Sequence, residues 1–191
     1  MTHAALVELA VKWLRTRYRC TIILSEQSCS SGEQPDAIGW KNRFRSVLVE
    51  CKLSRADFLA DQQKPFRSDS SQGMGSERYY LCAAGLIRPE ELPAGWGLLE
   101  VANRVVKASV RCNSRRDLRS EQGLKNELNL LLASLARVEL RIQPQTITDF
   151  LKWENRLARY NGGQLPTGIS PAQAGNPYIS ALSPAGEEHS R

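Results

Sequence analysis

The sequence predicts an α/β domain, a mixed central sheet flanked by helices, with a C-terminal helical hairpin. Three observations carry that expectation. An amphipathic helical pattern over 3–18 precedes a series of short apolar runs: CTIILSE, PDAIGW, SVLVECK, ERYYLCAA and WGLLEVA. A second helical pattern, over about 55–64, interrupts the series after SVLVECK. Two further helical patterns, 124–142 and 146–160, follow the last strand candidates. Helices before, between and after strands are the mark of a sheet covered by helices.

In the first helix Leu6, Leu9, Ala10, Trp13 and Leu14 share a stripe, with Lys12, Arg15, Thr16 and Arg19 mainly opposite. Thr2 suits the N-cap. Glu8 lies one turn from Lys12, spaced for a surface pair. CTIILSE is β-branched and apolar, so it reads as a strand. The loop QSCSSGEQ follows, flanked by Glu26 and Glu33, each either a loop-surface charge or a carboxylate within reach of the site. Pro35 fits the first position of a strand, where a missing N–H costs least. SVLVECK is short and continuously apolar, which predicts a strand buried on both faces. The link between these two strands takes its turn chemistry from Asn42.

A hairpin centred on Arg43 sets Asp36 opposite Glu50. Directly opposed residues have Cβ atoms roughly 4.5–5.5 Å apart. Two carboxylates that close repel, unless one is protonated or a cation sits between them. Glu50 and Lys52 are two apart and leave the same face of the strand. A hard divalent cation such as Mg²⁺, bound through oxygens, would resolve the repulsion.

After Lys52, Ser54 and Asp57 read as a variant capping box. The helix buries Phe58 and Leu59, while Asp57, Asp61 and Lys64 share another face, which by itself reads as exposed and self-paired. Residues 67–76 are a flexible loop by composition. Tyr79 and Tyr80, in a central strand, point to opposite faces, one to the core and one to the cleft. VVKASVR reads as an edge strand. Arg104, Lys107, Arg111, Arg115, Arg116 and Arg119 form a basic run with two readings, a phosphate-tracking patch or a solvated linker. The helix 124–142 aligns Leu124, Leu128, Leu131, Leu132 and Leu135, and Pro144 ends it. The helix 146–160 is apolar at Ile147, Phe150, Leu151 and Leu157. The pair packs on the core or on a second subunit. From Asn161 onward Gly, Pro, Ser and Ala dominate, the composition of a disordered tail. The domain expectation is therefore a core over 1–112, a helical extension over 113–160 and a tail over 161–191.

Composition narrows the function. Of 191 residues, 41% are hydrophobic and 24% charged, ordinary for a soluble globular protein. The net charge of +6 suits a polyanionic partner. Five cysteines, at 20, 29, 51, 82 and 112, form no C-x-x-C pair. That argues against a disulfide framework or zinc site and for a cytoplasmic setting. Glu8 and Lys12 interrupt any leader-like apolar run, and no stretch has membrane-span length. P-loop, G-x-S-x-G and H-E-x-x-H patterns are absent. His3 and His189 lie near the two ends, which leaves a histidine-based site without support.

Asp36 followed by Glu50-Cys51-Lys52 resembles the signature of the PD-(D/E)XK nuclease superfamily. VECKLSRADFLADQQKPFR, SERYYLCAA and LPAGWGLLEV are similar to the MmcB-like DNA-repair family within it. The shared pattern here is Glu50 and Lys52, Asp57 and Asp61, Lys64, Tyr79 and Tyr80, then Pro93, Gly97 and Leu98. The resemblance covers roughly residues 1–112. It implies a restriction-endonuclease-like αβββαβ core and a nuclease dependent on Mg²⁺ or Mn²⁺, acting on DNA in repair. Asp36, Glu50 and the backbone carbonyl of Cys51 would hold the metal. Lys52 would orient the water and stabilise negative charge, and Glu8 from the first helix would point at the metal. Lys64 and the basic run would contact nucleic acid. The partner expectations are DNA, no membrane, and a homodimer through the C-terminal helices. One departure stands out: Pro65-Phe66 and the insert SDSSQGMGS replace an aromatic pair and a Tyr. The competing expectation is an idle member of the same fold that binds DNA or scaffolds a complex.

Overall fold

Six strands pair in chain order into one mixed sheet: β1 (Ile22–Ser25), β2 (Ala37–Lys41), β3 (Arg45–Lys52), β4 (Glu77–Ala83), β5 (Gly97–Ala102) and β6 (Val105–Val110). The structure, a computed structural model, describes residues 1–41, 44–69, 72–113, 117–141, 147, 148 and 151. β1, β2 and β3 run antiparallel, β3, β4 and β5 parallel, and β6 returns antiparallel on β5. The parallel β3–β4 step needs a crossover. It carries α2 (Arg55–Gln62) and the short α3 (Pro65–Ser68). This is the general α/β architecture expected.

β3 is buried along nearly its whole length because both faces of the sheet are covered. On one face Val47, Val49 and Cys51 pack under Leu6, Ala10, Trp13 and Leu14 of α1 (His3–Thr16). On the other face Leu48 joins Ile38, Phe58, Tyr80, Trp96 and Leu98. Thr2 caps α1, accepting from the Ala5 N–H at 3.3 Å. The β2–β3 register pairs Ala37 with Val49 and Ile38 with Leu48, as a hairpin centred on Arg43 requires. Asn42 and Arg43 themselves lie outside the described residues.

Four local expectations change. α1 stops at Thr16, and Arg19 takes a left-handed φ of 56°. Leu59 is 48% exposed, so α2 buries Phe58 alone of that pair. The segment around 67–76 is not a loose loop where described. It opens as α3, and Met74 and Ser76 are buried. Polar groups hold it: Arg78 donates to the carbonyls of Gly73 (2.7 Å) and Gly75 (3.1 Å), and Ser46 and Ser76 exchange bonds of 3.0 Å. Gly75, at φ +89°, lies so close that a Cβ there would stand 2.6 Å from the Leu48 side chain.

The fourth concerns α4 (Glu121–Arg141). Leu124, Leu128, Leu132 and Leu135 are between 47% and 55% exposed, and only Leu131 of the expected stripe is partly buried. The face turned to the sheet carries Asn126, Glu127 and Leu130 instead. Glu127 accepts from Trp40 Nε1 (3.0 Å), Ser46 Oγ (2.7 Å), Gly75 N (2.8 Å) and Arg119 (3.0 Å). The chain divides into two compact units, Met1–Leu132 and Ala133–Arg191. The expected helix 146–160, all but three positions of it, and the expected tail lie outside the described residues. Among the described residues no helix is long and apolar enough to cross a membrane.

Candidate active site at the end of strand β3

β3 delivers Glu50 and Lys52 to the face covered by α2, and both are buried. The Lys52 ammonium lies 3.5 Å from Glu50 Oε2 and 3.2 Å from Asp61 Oδ1. Asp61, on the inner face of α2, gathers most of the site. It accepts from Tyr80 Oη (2.9 Å) and pairs with Lys64 (2.9 Å) and Arg67 Nε (2.9 Å). Arg67, from α3, spans three acids: Asp61, Glu33 at 2.9 Å and Glu50 at 2.8 Å. Glu33 also accepts from the Met74 N–H at 2.8 Å. Asp57 stands at the rim, capping the Leu53 N–H (3.2 Å) and 4.0 Å from Lys52.

Asp36 closes the site from β2. One carboxylate oxygen accepts from the Cys51 N–H at 2.7 Å, so Asp36 grips the peptide that joins Glu50 to Cys51. The other lies 3.3 Å from His3 Nε2. His3, at the start of α1, is also 3.7 Å from Glu26.

The protonation equilibria reflect this crowding. Burial pushes Glu50 up to about 7, against the pull of Arg67 and with a further push from Asp36. Burial also raises Asp36, against the Cys51 N–H and Lys52. At Lys52 burial favours the neutral amine, but Glu50 and Asp61 outweigh it and hold the ammonium above its ordinary value. At Asp61 burial is overcome by Arg67, Lys52 and Lys64, and the carboxyl is driven far down. Burial and the Asp61 acceptor keep Tyr80 a neutral donor.

The structure thus brings together Asp36, Glu50, Lys52, Asp61 and Lys64. It does not bring in Glu8, which is exposed on α1 beside Ser25 and Glu26. Five residues separate Glu8 from His3, about 140° around the helix. Among the described residues it is therefore His3 that α1 offers to Asp36. His3, set aside in the sequence for lying near one end of the chain, thus stands beside Asp36. Glu33 is no surface charge: it is 1% exposed. Arg119 leaves the basic run too, because it is spent on Asp117 (2.8 Å), Glu127 (3.0 Å) and the Phe44 carbonyl (2.8 Å). Arg104, Lys107 and Arg111 lie elsewhere on the molecule, and Arg115 and Arg116 lie outside the described residues. Sequence reasoning missed His3 and Arg67, and left Glu33 between a surface charge and a residue of the site. Each comes from a helix start or loop whose place only the tertiary fold sets, so no local pattern marks them.

The donor chemistry fits a hard cation. Five carboxylates, Glu33, Asp36, Glu50, Asp57 and Asp61, face three full cations, Lys52, Lys64 and Arg67, a formal excess of two negative charges. Glu50 Oε1 lies against Arg67 Nη2, yet the angle is not that of a hydrogen bond, so this buried oxygen lacks a directed donor. Mg²⁺ commonly uses one or two carboxylates and keeps several waters. Asp36 and Glu50 are the two carboxylates that would hold it. No cluster of three or more metal-binding side chains stands ready among the described residues, so such an ion would rely on water and backbone for its remaining ligands.

No protein-family model matches the chain, and no curated protein does. Among solved structures it is similar to one titled SPO1766 protein of unknown function, from Silicibacter pomeroyi, with a TM-score of 0.53 and 16% identity. The match covers 88% of this chain and 99% of that one. At such an identity the likeness is one of fold.

Proposed function

We propose that the chain is a metal-dependent nuclease of the PD-(D/E)XK type that hydrolyses phosphodiester bonds, with DNA in a repair context as substrate. The observation that supports this reading is the convergence of Asp36, Glu50 and Lys52 at the end of β3, with a surplus of negative charge around them. In this reading Asp36 and Glu50 hold Mg²⁺ or Mn²⁺ with the Cys51 carbonyl. The ion, when bound, lowers the pKa of a water and polarises the phosphoryl oxygen. The protein's own groups do the rest. Asp61 fixes the Lys52 ammonium at 3.2 Å, so the charge is aimed before substrate arrives. Lys52 orients the attacking water and stabilises charge building on the phosphate. Arg67 binds the three acids behind it and keeps the cluster from flying apart. Lys64, half-exposed at the rim, would meet a backbone phosphate. The restriction-endonuclease-like core and a pairing of two copies through the exposed face of α4 belong to the same reading.

The test is a panel of labelled single-stranded, duplex, flapped and RNA substrates with Mg²⁺ or Mn²⁺. Lys52→Ala is expected to slow cleavage by about 10²–10³-fold. Cleavage unaffected by Lys52→Ala sinks the mechanism. One observation favours a second reading, an idle nuclease fold that binds DNA: Arg67 and Lys52 already neutralise both oxygens of Glu50. Calorimetric titration with Mg²⁺ or Mn²⁺ separates the two. Metal binding lost in Asp36→Ala supports the enzyme, and no carboxylate-dependent binding supports the idle module.

A further inference from the structure

α1 runs away from the acid cluster, and its far end builds a different chemistry. From His3 to Arg17 the helix advances about 20 Å. There, between the end of α1 and the β6 edge, lies a groove of about 520 Å³. Arg17, Lys107 and Arg111 line it above the half-buried Tyr18, and the Trp13 and Tyr79 rings, 7% and 3% exposed, lie beneath. A smaller groove shares Trp13 and Arg17 and adds Lys12 and Arg104. Among the described residues none of these five cations has a carboxylate partner.

The floor is preformed. The ring centroids of Trp13 lie 4.8 Å from Tyr18 and 5.3 Å from Tyr79. Tyr79 Oη accepts from the Cys112 N–H at 3.3 Å and meets Tyr18 Oη at 3.0 Å. Tyr18 donates to Glu77, whose charge Arg45 balances at 3.1 Å. Gly97 makes room for the Tyr79 ring, since a Cβ there would stand 2.3 Å from it. A Lys41 ammonium lies 4.3 Å over Tyr18.

Bland accounts cover only parts of this. A cation at a helix C-terminus balances the helix dipole, which explains Arg17. Lysine on an edge strand deters edge pairing, which explains Lys107. Neither explains why cations from two elements meet over a fixed aromatic floor while acids are kept buried and paired. Clustered like charges raise the free energy of the empty protein, and an anion offsets that cost.

We propose that this groove binds a nucleoside phosphate, the phosphate between Arg17, Lys107 and Arg111 and the nucleoside against the aromatic and apolar floor. The source is either a free nucleotide or the terminal nucleotide of a strand. The site is separate from the acid cluster and does not rest on the nuclease reading.

Calorimetry in EDTA, where cleavage is not at issue, tests it with three probes: inorganic phosphate, dTMP and a 5′-phosphorylated dT₅. The variant Arg17→Gln/Lys107→Gln/Arg111→Gln removes the charges and keeps the floor, with circular dichroism and Tm reporting its fold. Should the triple variant not fold, Lys107→Gln and Arg111→Gln are tested singly. Binding of dTMP or dT₅ is expected to weaken at least about tenfold in the triple variant and a few-fold in each single one. It should be unchanged in Arg15→Gln/Lys125→Gln, which removes exposed cations elsewhere. Tight dTMP binding identifies a free nucleotide as sufficient, and binding of dT₅ alone identifies a strand end. Inorganic phosphate bound as tightly as both overturns the nucleoside assignment. No binding of any probe, or binding indifferent to the three cations, overturns the site.

Discussion

Glu50 is buried between two cations, and burial still pushes its carboxyl up to about 7 from an ordinary 4.5. Between those values the folded protein holds a proton that the unfolded chain releases. Its contribution to stability is therefore full below about 4.5 and is lost as pH rises through 7. Wild-type protein should lose on the order of 1–3 kcal/mol between pH 5 and 8 from this group. In Glu50→Gln urea denaturation should show that slope flattened, with stability at pH 8 equal to or above wild type. A slope that survives the substitution would assign the titration to another group. Asp61 behaves oppositely. Its depressed pKa gives stability present above the unfolded value and lost as pH falls through the folded one. Asp61→Ala takes one acceptor from each of Lys52, Lys64 and Arg67, leaves the buried Tyr80 hydroxyl without its acceptor, and should cost about 3–5 kcal/mol at neutral pH. A loss under 1 kcal/mol by denaturant titration would contradict that role. Three of these side chains were legible in the sequence, because strand period and hairpin register place Asp36, Glu50 and Lys52; helix period put Asp61 on a face with Asp57 and Lys64 but did not show that it is buried. The pairing of Glu33 with Arg67 was not, because 34 residues separate partners that only the fold brings within 2.9 Å.

Strand positions were legible because β3 and β4 are buried on both faces and so keep continuous apolar runs. α4 shows where such reading stops. Periodicity finds an apolar stripe but not what covers it. The face that seats α4 on the sheet is polar at its centre, around Glu127, 2% exposed and met by four donors. Buried charges are fixed by partners rather than by hydrophobicity, so no hydropathy pattern reveals them. Glu127→Ala leaves the Trp40 indole without its acceptor and takes one of three from Arg119. It is expected to destabilise by about 3–5 kcal/mol and to speed hydrogen exchange at Gly75 and Ser76. Near-wild-type stability would mean that Leu130 alone seats the helix.

On the scale of the whole molecule, α1 joins two regions of opposite character, acids at its start and cations at its end, while α4 carries the apolar surface. Composition gave only a net +6 and could not show this separation. Leu124, Leu128, Leu131, Leu135 and Val138 recur at alternating steps of four and three, the heptad spacing that favours a seam between two helices. Four of the five are between 47% and 54% exposed. A second copy offers an identical stripe, and two-fold pairing buries both at once. Light scattering on the full chain should therefore return twice 21.4 kDa at micromolar concentration. Leu128→Glu with Leu135→Glu sets charges into the seam without touching Glu127, and should return the 21.4 kDa monomer with its fold intact. A wild-type protein that scatters as a monomer at those concentrations removes the second copy as the occupant of this face.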